Sequence, residues 1–114
     1  MGISKETTMT DAVVIFTSCA SEEEALQIAN GLIEERLAAC VNLLPPVRSI
    51  YRWEGRIFDE KEWLLIIKTG RERVGELETK IKSLHSYSVP EIICLPILEG
   101  SLDYLEWMEE MTRK

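Results

Sequence analysis

Four side chains in this chain are of the types that hold soft or borderline metal ions: Cys19, Cys40, Cys94 and the single histidine, His85. Thiolate and imidazole together suit copper and zinc. The cysteines are odd in number, lie inside apolar segments and are too widely spaced for a C-x-x-C pair, so a disulfide framework is not expected. Their plainer reading is as small buried hydrophobes. His85 falls at the foot of a predicted helix, where an imidazolium would meet the negative helix end and needs no ligand to be useful there. Glu62, Lys68, Tyr87 and Glu91 are polar groups of the kind that collect at strand and helix ends, and with His85 they would line a cleft at a subunit boundary. Taken singly, Lys68 is a solvated charge at a strand end, and Trp53 and Trp63 are core or interface anchors. Catalytic signatures are missing: there is no P-loop, no GxGxxG, no GxSxG and no HExxH. With one histidine, any Ser/His or Cys/His pair must use His85, and nothing near it marks a nucleophile. The expectation is a protein that is not an enzyme and requires no cofactor.

The elements that position these residues follow from the hydrophobic pattern. Ala12–Cys19 is β-branched and apolar, a buried strand. Ser21 stands three residues before Glu24 in capping-box spacing, and Ala25, Ile28, Ala29, Leu32, Ile33 and Leu37 continue at helical offsets, predicting a helix over 22–37. The run 40–53 is strand-like but carries Pro45 and Pro46, which donate nothing to a ladder, so this strand is long, bent and peripheral. Glu54 and Gly55 form the turn of a hairpin into a strand over 57–69. Val74, Leu77, Ile81 and Leu84 predict a second helix ending near His85. A fourth strand covers 92–98, and Ser101 caps a last helix carrying Leu102, Leu105, Met108 and Met111.

The order β-α-β-β-α-β plus one helix is an α+β, split β-α-β, ferredoxin-like pattern. It is expected as one domain over 11–114 behind a flexible segment 1–10. Right-handed crossovers place both helices on one face of an antiparallel sheet with the strands ordered fourth, first, third, second. In that arrangement Cys19, Cys40, Lys68, Thr69, His85 and Cys94 are expected at one sheet edge. Strands about 4.8 Å apart then leave the second strand roughly 10 Å from the first, too far for metal–sulfur bonds near 2.3 Å to close within one chain. A metal site would be shared between subunits.

The other sheet face should be polar if solvated, yet the strands are apolar on both sides: Leu64 and Ile66 alternate with Trp63, Leu65 and Ile67, and Val14 and Phe16 with Val13 and Ile15. Several such side chains left in water forfeit on the order of 10 kcal/mol, comparable with the stability of a whole domain. A C-terminal helix about 18 Å long covers part of that area, and another copy of the chain is the expected cover for the rest. The other partner classes are narrowed by charge and length. A formal net charge of −7 and a pI near 4.8 have the wrong sign for binding phosphates, so nucleic acid is excluded. Apolar runs such as 63–67 are far short of the about 20 residues a membrane span needs. The opening MGISKETTMTD has no basic region leading into an apolar one, and a cytoplasmic location is expected.

Four stretches carry a resemblance to a known family. RLAACVNLLPPVRSIYRWEGRI (36–57), LLIIKT (64–69), HSYSVPEI (85–92) and YLEW from Tyr104 together resemble the CutA divalent-cation tolerance proteins. Ser86 stands where that family usually has Pro, and Ser88 where Glu is common. The resemblance implies a ferredoxin-like subunit in a compact homotrimer, similar in architecture to PII signalling proteins, and a role in tolerance of copper and other divalent cations. It implies Cys40 and His85 as metal ligands and Glu62, Lys68, Tyr87 and Glu91 as a pocket, while Cys19 and Cys94 have no motif behind them; Trp53 and Trp63 are expected at the interface as large aromatic anchors. The alternative is a PII-like module that binds a small molecule at subunit clefts and acts on a protein partner.

Overall fold

The structure, a computed structural model, describes residues 7–114. Strand β1 (Thr7–Met9) pairs antiparallel with β7 (Glu99–Ser101). Residues 7–9 of the expected flexible segment 1–10 are therefore in a strand, and residues 1–6 lie outside the described ones. Strand β2 (Ala12–Cys19) leads into α1 (Glu22–Glu34), whose N-cap Ser21 accepts the N–H of Glu24 at 3.2 Å, as the capping-box spacing predicts. The helix ends three residues before the apolar pattern does. Arg36 takes the left-handed conformation (φ 58°), its N–H bonds to Ile33 O at 3.1 Å, and that of Leu37 bonds to Leu32 O at 2.9 Å. This is a Schellman turn built on arginine in place of glycine, and it folds Leu37 down into the core. Arg73, itself buried, donates to the carbonyls of Glu35 and Arg36 at 3.3 Å each, so α1 ends against a charged cap from a distant segment.

The expected bent strand over 40–53 is two strands, β3 (Cys40–Leu43) and β4 (Val47–Trp53), because the prolines between them supply no N–H. Both pair with the long β5 (Arg56–Gly70). Glu54 and Gly55 have φ of 50° and 76°, the two left-handed positions of a type I′ hairpin turn. A short 3₁₀ turn (Arg71–Arg73) opens α2 (Val74–Leu84); β6 (Ile93–Pro96), β7 and α3 (Leu102–Thr112) complete the chain. Ser101 caps α3 by accepting the N–H of Tyr104.

The main sheet has the order β3-β5-β2-β6 with antiparallel neighbours throughout, the order expected of the split β-α-β pattern. Helices α1 and α2 cover one face, closing a core of Val13, Ile15, Ile28, Leu32, Leu65, Ile67, Leu77 and Ile81. On the opposite face Val14, Phe16, Leu64 and Ile66 are only half-buried, and Ile93 and Leu95 are 49% and 45% exposed. Helix α3 packs at one end only, around Ala12, Ala39 and Met108. The β4–β5 hairpin projects from the body: the radius of gyration is 15.6 Å, against about 13 Å for a compact chain of this length.

Strand direction corrects one expectation. The β2-α1-β3 crossover returns the chain to its starting side, so β3 runs parallel to β2 and Cys40 lies opposite Lys68, which lies opposite Val14. Cys19 lies opposite Trp63, five residues and roughly 17 Å away along β5. The residues expected at one edge therefore divide, with Cys40, Lys68 and Thr69 at one end of the sheet and Cys19 and His85 at the other.

Candidate functional site

The end of β2, the first turn of α1, the C-terminus of α2 and the base of the hairpin converge at one end of the sheet. His85 is the C-cap of α2, its N–H bonding to Ile81 O at 2.9 Å, and its side chain is fully buried. Nε2 lies 2.7 Å from the carbonyl oxygen of Ser18. A carbonyl only accepts, so Nε2 carries the proton. Nδ1 accepts the N–H of Tyr87 at 3.1 Å and is the unprotonated nitrogen. In place of an imidazolium at a solvated helix end, this is a neutral ring whose tautomer is set by two backbone groups.

Glu24, the third residue of α1, places Oε1 3.7 Å from Nδ1 of His85. Ser86 holds that carboxylate with both its donors, N–H to Oε2 and Oγ to Oε1, each at 3.2 Å. Cys19 is fully buried beside them, and its thiol is pushed up to about 12, first by burial and then by the carboxylates of Glu24 and Glu62. The thiol sulfur, a Glu24 oxygen and a His85 ring nitrogen lie within 4.8 Å of one another, the one such trio of Cys, His, Asp or Glu among the described residues. Sulfur, nitrogen and oxygen donors in this combination match zinc and copper chemistry rather than that of magnesium or calcium.

Beside this trio opens a cleft of about 540 Å³, lined among others by Ser18, Tyr51, Trp53, Glu62, Tyr87 and Glu91. Glu62 is buried, and Tyr87 donates its hydroxyl to Oε2 at 2.7 Å. Burial, and then this bond to a carboxylate, hold the Tyr87 phenol well above its usual range. Tyr51 donates its hydroxyl to Glu60, which raises its own phenol to about 12. Trp53 is 44% exposed near the hairpin turn and donates Nε1–H to Glu54 at 2.9 Å.

Of the residues singled out from sequence, Glu62, Tyr87, Glu91 and Trp53 share this cleft, and His85 stacks at a tilt on Tyr87 with ring centroids 4.8 Å apart. Lys68 is not among them: it lies six residues from Glu62, roughly 20 Å along β5, with its ammonium 5.8 Å over the ring of Tyr104. Cys40 is near Lys68 and not near His85; its Sγ is 3.8 Å from Oδ1 of Asn42. Trp63 packs on the core of its own subunit, because it is in phase with Leu65 and Ile67 on β5. Cys94 is exposed on β6. Sequence reading missed the grouping of Cys19, Glu24 and Ser86 around His85.

The family model described as CutA1 divalent ion tolerance protein matches residues 13–111. The chain is 48% identical over 99 residues to the divalent-cation tolerance protein CutA of Thermus thermophilus, covering 87% of this chain and 96% of that one. It resembles the solved structure of the Thermus thermophilus divalent cation tolerance protein with a TM-score of 0.87, covering 89% of this chain and 98% of the other. The crystal structure of CutA1 from Oryza sativa superposes with a TM-score of 0.89 at 40% identity, covering 93% and 97%.

Proposed function

The chain belongs to the CutA1 divalent ion tolerance family, and from that membership we propose that it serves cation tolerance as a homotrimer that binds metal ions, copper among them, without catalysing a reaction. The observation that carries this reading is the second sheet face, where Phe16, Leu64, Ile66, Ile93 and Leu95 form an apolar surface that α3 leaves largely uncovered. A surface of this kind on a half-covered sheet is closed by other copies of the same chain. The projecting hairpin, with Ile50 and Ile57 67% and 68% exposed, adds apolar area that a neighbouring subunit would bury.

Binding rather than turnover is supported by the state of the reactive groups. The ring nitrogens of His85 are both engaged by backbone groups, so the one imidazole of the chain is not poised as a general base. The Cys19 thiol is held protonated by its surroundings, which is the opposite of an activated nucleophile.

The test is light scattering on purified protein combined with calorimetric titration by copper(I), copper(II) and zinc. A mass near three times 13.1 kDa with saturable binding of at least one of these ions is the expected result. Single chains at micromolar concentration, or no binding beyond that of the buffer, would overturn the proposal.

A further inference from the structure

We propose that Lys68 of one subunit enters the acidic cleft of the next and forms an ion pair there with Glu62 and Glu91, so that each cleft is completed by a residue from a second copy of the chain. The contact rests on the homotrimer reading above and deepens it by naming the pair of groups that fixes how the subunits are arranged.

Two uncompensated charges border the same apolar face. Lys68 stands on the open side of β5, in phase with Leu64 and Ile66, and its cross-strand neighbours there are Val14 and Cys40. It is the only Lys or Arg in β2, β3, β6 and the 62–70 half of β5. Among the described residues no carboxylate pairs with its ammonium, which lies 5.8 Å from the centroid of the Tyr104 ring, close to the outer limit of a cation–π contact. Half-buried in the lone subunit, this ammonium sits on the face that other copies cover in a homotrimer. Covering it without an anionic partner would oppose assembly, because a desolvated charge left unpaired is strongly unfavourable.

The cleft has the opposite defect. Glu62 and Glu91 line it together with Tyr51, Trp53 and Tyr87, and no Lys, Arg or His is among its walls. Glu62 is 6% exposed, and the Tyr87 hydroxyl that donates to it carries no charge. Its own charge is felt by its neighbours, since it helps to raise both the Tyr87 phenol and the Cys19 thiol. A cation in the cleft relieves this. The aromatic rings suit a lysine in particular, whose methylene stem packs on them while the ammonium reaches the carboxylates.

The subunit's own Lys68 cannot supply that cation, because it stands six residues from Glu62 on β5, roughly 20 Å away. A second copy can. In a cyclic trimer each subunit offers one patch to one neighbour and receives a different patch from the other. Two complementary patches at opposite ends of one strand are then each used once, and the ring closes with three identical ion pairs. Glu62, Tyr87 and Glu91, grouped with Lys68 by sequence but parted from it in one chain, are reunited across the boundary.

Carbodiimide coupling is the test, because it joins an amine to a carboxylate only where the two already meet. On the native trimer it should give chains joined in twos and threes on a denaturing gel, with an amide between Lys68 and Glu62 or Glu91 found by peptide mass spectrometry. The separation within one subunit means that such a link joins two chains. Lys68→Arg keeps the charge but not the reactive amine, so it should remain trimeric and lose the link. Charge reversal gives a second reading: Lys68→Glu and Glu91→Lys should each lower Tm at fixed protein concentration, and the double variant should recover at least about half of the summed loss, whereas independent sites would add. A native trimer with no link from Lys68 to the cleft, or additive losses in the double variant, overturns the contact and leaves the trimer standing. A trimer whose Glu91 couples to added methylamine as readily as that of Lys68→Ala assigns the cleft to a small cationic ligand and likewise overturns it. Native protein that scatters light as single chains overturns both readings.

Discussion

Replacing Ile66 by Asp separates the stability of the subunit from that of the assembly. Ile66 lies opposite Phe16 on the sheet face away from α1 and α2 and is half-buried in the single subunit. Within one chain the substitution removes only part of an apolar burial, about 1 kcal/mol, and leaves a carboxylate with access to water. In a trimer closed over this face, the same carboxylate is buried without a partner, which costs about 3–5 kcal/mol for each subunit. Three copies lose roughly 9 kcal/mol or more, so the association constant falls at least about a millionfold. Light scattering at micromolar concentration should then read one chain of 13.1 kDa where the native protein reads three. Far-ultraviolet circular dichroism should be preserved, and the midpoint of thermal unfolding should lose its dependence on protein concentration. Gln27→Asp, on the solvated side of α1, is the control and should leave the mass unchanged. An Ile66→Asp protein that keeps the mass of three chains would show that this face is not where the subunits meet.

Two further perturbations probe the site end of the sheet. Tyr87→Phe strips the buried Glu62 carboxylate of its 2.7 Å donor, which should cost about 1.5–3 kcal/mol and lower Tm by roughly 5–12 °C in calorimetry at fixed protein concentration; an unchanged Tm would mean that water satisfies Glu62 equally well. Cys19 binds its proton more tightly in the folded chain, at about 12 against an ordinary 9.0, so its contribution is complete below pH 9 and is lost as pH rises from there towards 12. In metal-free protein, denaturant titrations above about pH 9 should show the native chain losing up to about 1.4 kcal/mol per pH unit more than Cys19→Ala, and parallel curves would refute the burial argument.

Most of the fold was legible because local signals and burial agreed. The Ser21 and Ser101 caps, the Glu54–Gly55 turn and the alternation along β2 and β5 each sit where their residue types predict. The misses have local causes. Helix α1 stops on Arg36 in a conformation usually signalled by Gly or Asn, and its apolar periodicity runs on through Leu37 because that residue is buried by a different route. The three-residue strands β1 and β7 are too short to show any period.

The site was legible in its residues but not in its grouping, and the reason is strand direction. Helix α1 leaves the end of β2, while β5 runs the opposite way and α2 climbs back, so the start of α1 and the end of α2 meet at the end of β2. That meeting brings His85 to Cys19 and Glu24, residues more than sixty positions away in sequence. The local run around Cys40 carries no information about which end of the sheet it occupies. Its register opposite Lys68, four residues along β5 from the partner of Ser18, keeps Cys40 roughly 13 Å along the strand from the His85 end. Any ion bound by Cys40 and His85 together must therefore bridge two subunits. The Ile66→Asp protein tests this: isolated chains should lose any metal binding that needs both residues, and binding equal to that of the native protein would refute a shared Cys40–His85 site.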